Sequence, residues 1–425
     1  MKAVIPPVKG TRDFYPPQMA VRTWLYQTVR RVSESFGYQE YEAPILEPLA
    51  LYAAKSGEEL VKKQSYVFTD RGGDEITLRP ELTPSLARMV AQKQGELVFP
   101  LRWWSFGPFW RYEKMQRGRS REFFQWNIDM LGVNSPEADA ELVAIAAEFL
   151  RTVGLTPAQA RIFVNNRRLM EAEFERLGIP PEKRGEVATL VDRRSKMEAA
   201  EWEEYATEIG LSGAQLNGLK SLLANEALWQ QSEELTRLFE VLRALDVADY
   251  VQFDPNIMRG LLYYTGTVFE AFDITGGVRR AILGGGRYDN LLADVGGDPL
   301  SGVGFAMGDV VIGIILSELG LIPPLRVQPA SVLVTVFSSE LLPETLRLAA
   351  ELRRSGLFVA TYPESAKLPK QFKYADRLGM QAVLVLGPDE LATGQVTVKD
   401  LKRGQQVTVS RTEVYAVVMK ILTEA

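Results

Sequence analysis

The densest run of chemistry-bearing side chains lies between residues 109 and 129, Phe109-Trp-Arg-Tyr-Glu-Lys-Met-Gln-Arg-Gly-Arg-Ser-Arg-Glu-Phe-Phe-Gln-Trp-Asn-Ile-Asp129. Four arginines (Arg111, Arg117, Arg119 and Arg121) fall across two expected strands and the loop joining them. Guanidinium groups at that density suit a polyphosphate, which they grip through paired hydrogen bonds. Strand alternation puts Arg111 and Glu113 on one face of the outgoing strand, and Phe123, Gln125, Asn127 and Asp129 on one face of the returning strand. Phe123 among the cations offers a stacking surface for an aromatic base. A solvated charged hairpin is the plainer account of such a run. The large aromatics and the polar strand face favour a site.

Three further clusters carry chemistry. In Arg79-Pro-Glu-Leu-Thr83, Glu81 can hold an ammonium group with Thr83 in support; a helix N-cap at Thr83 followed by Pro84 explains the run equally well. In Met258 to Glu270, Arg259 beside Gly260 points to close backbone approach of a ligand, and Tyr263 and Tyr264 are expected on opposite faces of a strand. The Gly284-Gly-Gly-Arg-Tyr-Asp289 run lacks the Gly-Lys-Ser/Thr of a phosphate-binding P-loop and reads equally as a glycine-rich hairpin turn. In Lys367 to Arg377, helical spacing aligns Lys370, Lys373 and Arg377, with Phe372 and Tyr374 interleaved, a pattern suited to RNA phosphates and unstacked bases. An ordinary solvated helix face fits that run as well.

Composition narrows what these groups can do. The 425 residues include no His and no Cys. Imidazole acid–base chemistry, thiolate nucleophiles, disulfides and His/Cys metal sites are therefore excluded. Chemistry must rest on carboxylates, Arg, Lys, Tyr, hydroxyls, backbone or substrate. With 49 basic against 54 acidic residues, the net charge of −5 leaves no global nucleic-acid footprint. The sequence has no apolar run of membrane-spanning length and no signal- or transit-peptide pattern in MKAVIPPVKGTRD, so a cytoplasmic protein is expected.

The elements that must position these groups read as α+β. A helix over Pro16 to Phe36 precedes extended segments at Tyr38–Glu42, Tyr66–Thr69, Glu75–Arg79, Leu101–Tyr112 and Phe123–Leu131. Short polar connections favour an antiparallel sheet. A helix follows from about Pro136, and Leu169, Phe174, Leu177, Leu190, Trp202, Leu219, Leu222, Leu235, Leu238 and Leu242 are spaced for burial in helices. Strands are expected again at Arg259–Phe272, Arg279–Leu283 and Ser301–Ala306, then a helix over Val310–Leu319. The expected division is 1–165 and 251–322 as two parts of one catalytic domain, 166–250 as a helical insertion, 323–330 as a linker and 331–425 as a compact α/β domain.

Together these motifs resemble the class II aminoacyl-tRNA synthetases, and within them the histidyl branch. Lys9-Gly-Thr-Arg-Asp-Phe-Tyr-Pro16 with its helix and Pro44 is similar to motif 1, Arg111-Tyr-Glu through Gln125 to motif 2, and Arg259-Gly-Leu-Leu-Tyr-Tyr-Thr-Gly266 to the histidyl signature. The resemblance implies an antiparallel catalytic sheet with flanking helices, a helical insertion and a C-terminal anticodon-binding domain. It implies that histidine attacks the α-phosphate of ATP, used with Mg2+, and that the acyl group then moves to tRNA(His), in a homodimer. By the same resemblance Arg111 and Arg259 clamp the α-phosphate, Glu113 meets the adenine amino group, Phe123 stacks on adenine, and Arg119 and Arg121 serve the phosphates. Glu81 and Thr83 hold the ammonium, while Gln125, Asp129, Tyr263 and Tyr264 form the amino-acid pocket. Lys370, Lys373 and Arg377 are the tRNA-facing candidates.

The chain departs from the pattern at Leu262, usually acidic; at Phe124, often His; and at Val311 of the motif 3-like Gly304-Phe-Ala-Met-Gly-Asp-Val-Val311, usually an Arg. Arg279, Arg280 and Arg287 are the candidates to replace that cation. The rival readings are a histidine-binding regulatory subunit of ATP phosphoribosyltransferase and an uncharged-tRNA-binding module.

Overall fold

The computed structural model describes residues 4–53, 64–259, 263–290 and 292–424. Two compact units divide the chain, Met1–Pro323 and Pro324–Ala425. The first unit contains strands β1 (Gln39–Glu40), β2 (Leu46–Pro48), β3 (Tyr66–Thr69), β4 (Glu75–Leu78), β5 (Leu101–Trp110) and β6 (Glu122–Leu131). After these come β7 (Ala160–Asn166), β8 (Val251–Phe253), β9 (Thr267–Asp273), β10 (Ala281–Tyr288) and β11 (Gly302–Gly308).

Eight of these form one sheet in the order β1-β5-β6-β11-β10-β9-β7-β8, and β2-β4-β3 form a small sheet. The six central strands of the large sheet pair antiparallel, with β1 and β8 added parallel at the edges. The antiparallel expectation thus holds. Along β6 the alternation separates two functions: Phe124, Trp126, Ile128 and Met130 are buried, while Phe123, Gln125, Asn127 and Asp129 face a cleft. The Pro136–Thr152 helix, capped by the Ser135 hydroxyl, packs its apolar residues on the buried side.

Between residues 166 and 250 lie helices Arg167–Arg176, Pro181–Arg193, Ala199–Glu208, Gly213–Leu223 and Glu233–Ala244. Their Phe174, Leu190, Trp202, Leu219, Leu235, Leu238 and Leu242 are buried in the same apolar core as the sheet. Leu169 and Leu177 are only partly buried against it.

Several local expectations are corrected. The strand expected from Arg259 begins at Thr267, because Arg259 adopts φ 55° in the left-handed region, which no strand residue occupies. Gly260, Leu261 and Leu262 lie outside the described residues. Tyr263 and Tyr264 therefore do not alternate across a strand; their rings sit 4.8 Å apart. Gly284 to Gly286 form no turn but the middle of β10. A Cβ at Gly284 would strike the Arg259 guanidinium, and one at Gly286 would meet Thr267 O at 2.7 Å. Glycine there is a requirement of close approach. Thr83 is the first residue of the Thr83–Lys93 helix rather than its cap, and the helix start has no side-chain cap bond. Strand β7 was not expected: its apolar set, Ala160, Ile162 and Val164, is too short to stand out after a long helix.

The second unit carries β12 (Val332–Val334), β13 (Val359–Thr361), β14 (Ala382–Val385), β15 (Gln395–Asp400) and β16 (Gln406–Ser410) in the order β13-β12-β14-β15-β16. Its sheet is mixed: β12 pairs parallel with β13 and β14, and β14-β15-β16 run antiparallel.

Candidate active site

A cleft of about 1940 Å3 opens over the polar face of the large sheet. At one end β6 presents Gln125, Asn127 and Asp129. Asp129 is 6% exposed and accepts a 2.6 Å hydrogen bond from the Tyr288 hydroxyl. Burial pushes its carboxyl up to about 7 from an ordinary 3.8, while the bond from Tyr288 pulls the other way. Burial also raises the Tyr263 and Tyr288 phenols well above their usual range, so both remain protonated. Glu81 and Thr83 line the same cleft, Glu81 buried and Thr83 half-buried.

The cationic end is built from the β5–β6 connection and the segment before β9. Arg111 is fixed by an Nε bond to Pro80 O at 2.9 Å, with its guanidinium carbon 5.4 Å from the Phe123 ring centre. Phe123 itself stacks on Phe109 at 6.0 Å. Glu113 pairs through Oε2 with Arg119, while its buried Oε1 has no hydrogen-bond partner. Arg259 pairs with Glu270 of β9 and lies 5.7 Å from the Tyr264 ring. Burial opposes its charge, but Tyr264 and Glu270 raise its pKa overall.

Arg121 does not join this group. Its guanidinium donates to Glu113 O and Lys9 O and lies 3.9 Å from the Tyr112 ring, tying the N-terminal segment to the loop. Arg117 is likewise engaged outside the cleft, with Glu318. At the end of β11, Asp309 accepts the Phe124 N–H at 2.9 Å and an Arg12 bond at 2.8 Å. Val311 lines the cleft as an apolar residue. Arg280 reaches the same spot: its Cδ would lie 3.2 Å from a Cβ on Gly118, and Val311 would lie 3.3 Å from it. Its guanidinium donates to the neutral Gln116 side chain at 3.0 Å. Arg287 faces elsewhere, buried against Asp139, Val133 O and Ser135 O. Of the three candidates to replace the cation at Val311, Arg279 and Arg280 line the cleft and Arg287 does not; Glu270 and Tyr288, which sequence reasoning gave no role, join the cleft through sheet register rather than through a local motif.

The family model described as histidyl-tRNA synthetase matches residues 10–309, and one described as anticodon binding domain matches residues 331–421. The chain belongs to the histidyl-tRNA synthetases. It is 38% identical to the chloroplastic/mitochondrial histidine–tRNA ligase of Arabidopsis thaliana, over 96% of this chain and 85% of that one. It is 38% identical to the histidine–tRNA ligase of Opitutus terrae, over 96% and 97%. The histidyl-tRNA synthetase of Nostoc sp. PCC 7120 superposes with a TM-score of 0.83 over all of both chains at 27% identity. A Bacillus halodurans protein described as an ATP phosphoribosyltransferase regulatory subunit/histidyl-tRNA synthetase shares the fold, at a TM-score of 0.73, 21% identity and coverage of 88% and 97%.

As a member of this family the chain also carries the second unit's candidates. Lys370, Lys373 and Arg377 are exposed on the Leu368–Arg377 helix, with Lys370 3.2 Å from Glu364. The interleaved aromatics are not both free. Phe372 packs into the core and is covered by Lys399, and Tyr374 meets Tyr362 edge-on at 5.4 Å. Among the described residues no three carboxylates group as a metal site, and no helix is long and apolar enough to cross a membrane.

Proposed function

We propose that this histidyl-tRNA synthetase is a histidine–tRNA ligase working through the cleft of the first unit. A histidine carboxylate oxygen attacks the α-phosphorus of ATP, pyrophosphate leaves, and the terminal ribose hydroxyl of tRNA(His) then takes the acyl group with release of AMP. One observation carries the reading: a buried carboxylate, Asp129, stands at one end of a single cleft and a guanidinium group at the other. Asp129 and Gln125 face the imidazole, with Tyr263 and Tyr264 closing the pocket; Glu81 and Thr83 hold the ammonium. Arg111 and Arg259 stabilise the charge gathering on the α-phosphate. The buried, unpartnered Glu113 Oε1 fits the adenine amino donor, and Phe123 its ring. Arg119 serves the phosphates from beside Glu113. Arg280 supplies the cation that Val311 does not. Mg2+ would be held chiefly by the ATP phosphates it ligates. A homodimer built on the motif 1 segment is part of the same reading. Histidine-dependent exchange of labelled pyrophosphate into ATP tests the reading. A protein that binds histidine or tRNA without catalysing exchange would match the regulatory-subunit or binding-module alternatives instead.

A further inference from the structure

We propose that Arg167, which does not itself line the cleft, is a positioning residue that fixes the backbone of Met258, Arg259 and Tyr264 and thereby the placement of Tyr263 and Tyr264 on the amino acid and of Arg259 beside its reacting carboxylate. The inference rests on the reading of those three residues as substrate-binding groups.

Arg167 is the first residue of the Arg167–Arg176 helix, directly after β7. Its backbone N–H donates to Gly266 O at 2.9 Å. Its side chain reaches both ends of the segment: Nε and Nη2 donate to Met258 O at 3.2 and 3.0 Å, Nη2 to Arg259 O at 2.6 Å, and Nη1 to Tyr264 O at 3.0 Å. One planar fork thus ties three carbonyls that flank the signature loop, a task for which guanidinium has the donors and the span and a lysine ammonium does not.

Arg259 shows why such a tie is needed. A non-glycine residue at φ 55° is strained and persists only where its surroundings over-determine it. The carbonyl of that residue is one of those Arg167 holds. The Tyr264 ring also lies 6.0 Å from the Arg167 guanidinium carbon and 5.7 Å from that of Arg259. The anchor is itself fixed: Asn166 caps the helix through the N–H groups of Arg168 and Leu169, and Asn165 Nδ2 donates to Pro255 O and Ile257 O at 3.2 and 3.0 Å. Loss of the Arg167 side chain removes its bonds to Met258, Arg259 and Tyr264, while the Asn165 and Asn166 bonds remain.

The test is pyrophosphate exchange by the full chain, with Arg167→Lys, Arg167→Gln, Arg259→Lys and the remote exposed control Arg176→Ala measured together. The expected result is a KM for histidine raised about tenfold or more in a folded Arg167→Lys, with the KM for ATP within about threefold of the parent and Arg176→Ala unchanged. Parent-like histidine kinetics in folded Arg167→Lys overturn the proposal, as do equal losses for histidine and ATP. If neither Arg167 variant keeps the parent's circular dichroism and melting point, the residue serves the fold alone and the proposal is likewise overturned. Arg259→Lys separates the two levels: no effect there removes the pocket reading itself, whereas an effect there with none at Arg167 removes only this inference.

Discussion

Tyr288 and Asp129 meet across an intervening strand. Asp129 lies on β6 and Tyr288 on β10, with β11 between them, and the phenol donates to the carboxylate at 2.6 Å. The strand between them has Gly304 directly opposite Asp129. A Cβ there would collide with the Asp129 carboxylate. The glycine is the gap through which the carboxylate lies over its neighbour, so the depth of this end of the cleft is set by a missing side chain.

The buried carboxylate makes stability depend on pH with a defined sign. Its folded-state pKa, about 7, exceeds the ordinary 3.8, so the fold favours the protonated form. The associated stability is fully present below pH 3.8 and is lost as pH rises through 7. At about 1.4 kcal/mol per unit this amounts to about 4 kcal/mol in the ligand-free protein. Asp129→Asn should match the parent in urea midpoint at pH 4 and exceed it at pH 8, while losing histidine activation. Equal midpoints at both values would show that the carboxyl ionises without cost. With no His or Cys in the chain, few other side chains titrate between about pH 6 and 8, and the ordinary carboxyls that titrate near pH 4 are common to both proteins and cancel in the comparison.

Tyr288→Phe removes the hydrogen bond that, among the described residues, favours ionised Asp129. We expect the acidic limb of kcat/KM for histidine to move to higher pH and its value at pH 7 to fall about tenfold, for a bond worth about 1.5 kcal/mol. A profile superimposable on the parent's would remove Tyr288 from the pocket.

Arg259→Lys keeps the charge but loses the fork that engages Glu270 and the cleft together. The expected outcome is a fall in kcat of about a hundredfold, or about 3 kcal/mol of transition-state stabilisation, with the KM for ATP little changed. Single-turnover adenylate formation near the parent's rate would show that a point charge suffices.

Arg280→Ala should raise the KM for ATP severalfold and leave histidine binding intact, because its stem approaches Gly118 as Val311 does and its guanidinium meets a neutral amide. Unchanged ATP kinetics would leave the Val311 position without a replacement cation. Arg287→Met is the informative contrast: it strands buried Asp139 without its partner and should cost about 3 kcal/mol or more of stability.

How much of this was legible in the sequence depended on how local the signal was. The polar face of β6 followed from strand alternation over ten residues, and the antiparallel sheet from short connections. Tyr263 and Tyr264 were misplaced because a left-handed residue at Arg259 is set by tertiary bonds from Arg167, 92 residues earlier. The role of Gly284 to Gly286 was missed for a similar reason, since glycine required by close packing looks the same in sequence as glycine required by a turn. Arg287 and Arg280, seven residues apart, could be told apart only by what each side chain faces.

The last prediction concerns the Leu368–Arg377 helix. Lys370 and Lys373 are exposed, and Lys370 meets the exposed Glu364, a contact that screening makes weak, and the Tyr362 side chain. Phe372 is packed and covered by Lys399, whereas Tyr374 is 40% exposed, so this face offers phosphate contacts with at most one stacking ring. Changing both lysines to Gln should weaken tRNA binding and flatten its dependence on salt by up to about two phosphate contacts. Exchange of pyrophosphate without tRNA should be unaffected, since Arg111 and Arg259 belong to the other unit. Filter binding over a salt series beside the exchange assay decides the matter: unchanged affinity and slope would mean that the helix presents an ordinary solvated face and that tRNA is gripped elsewhere.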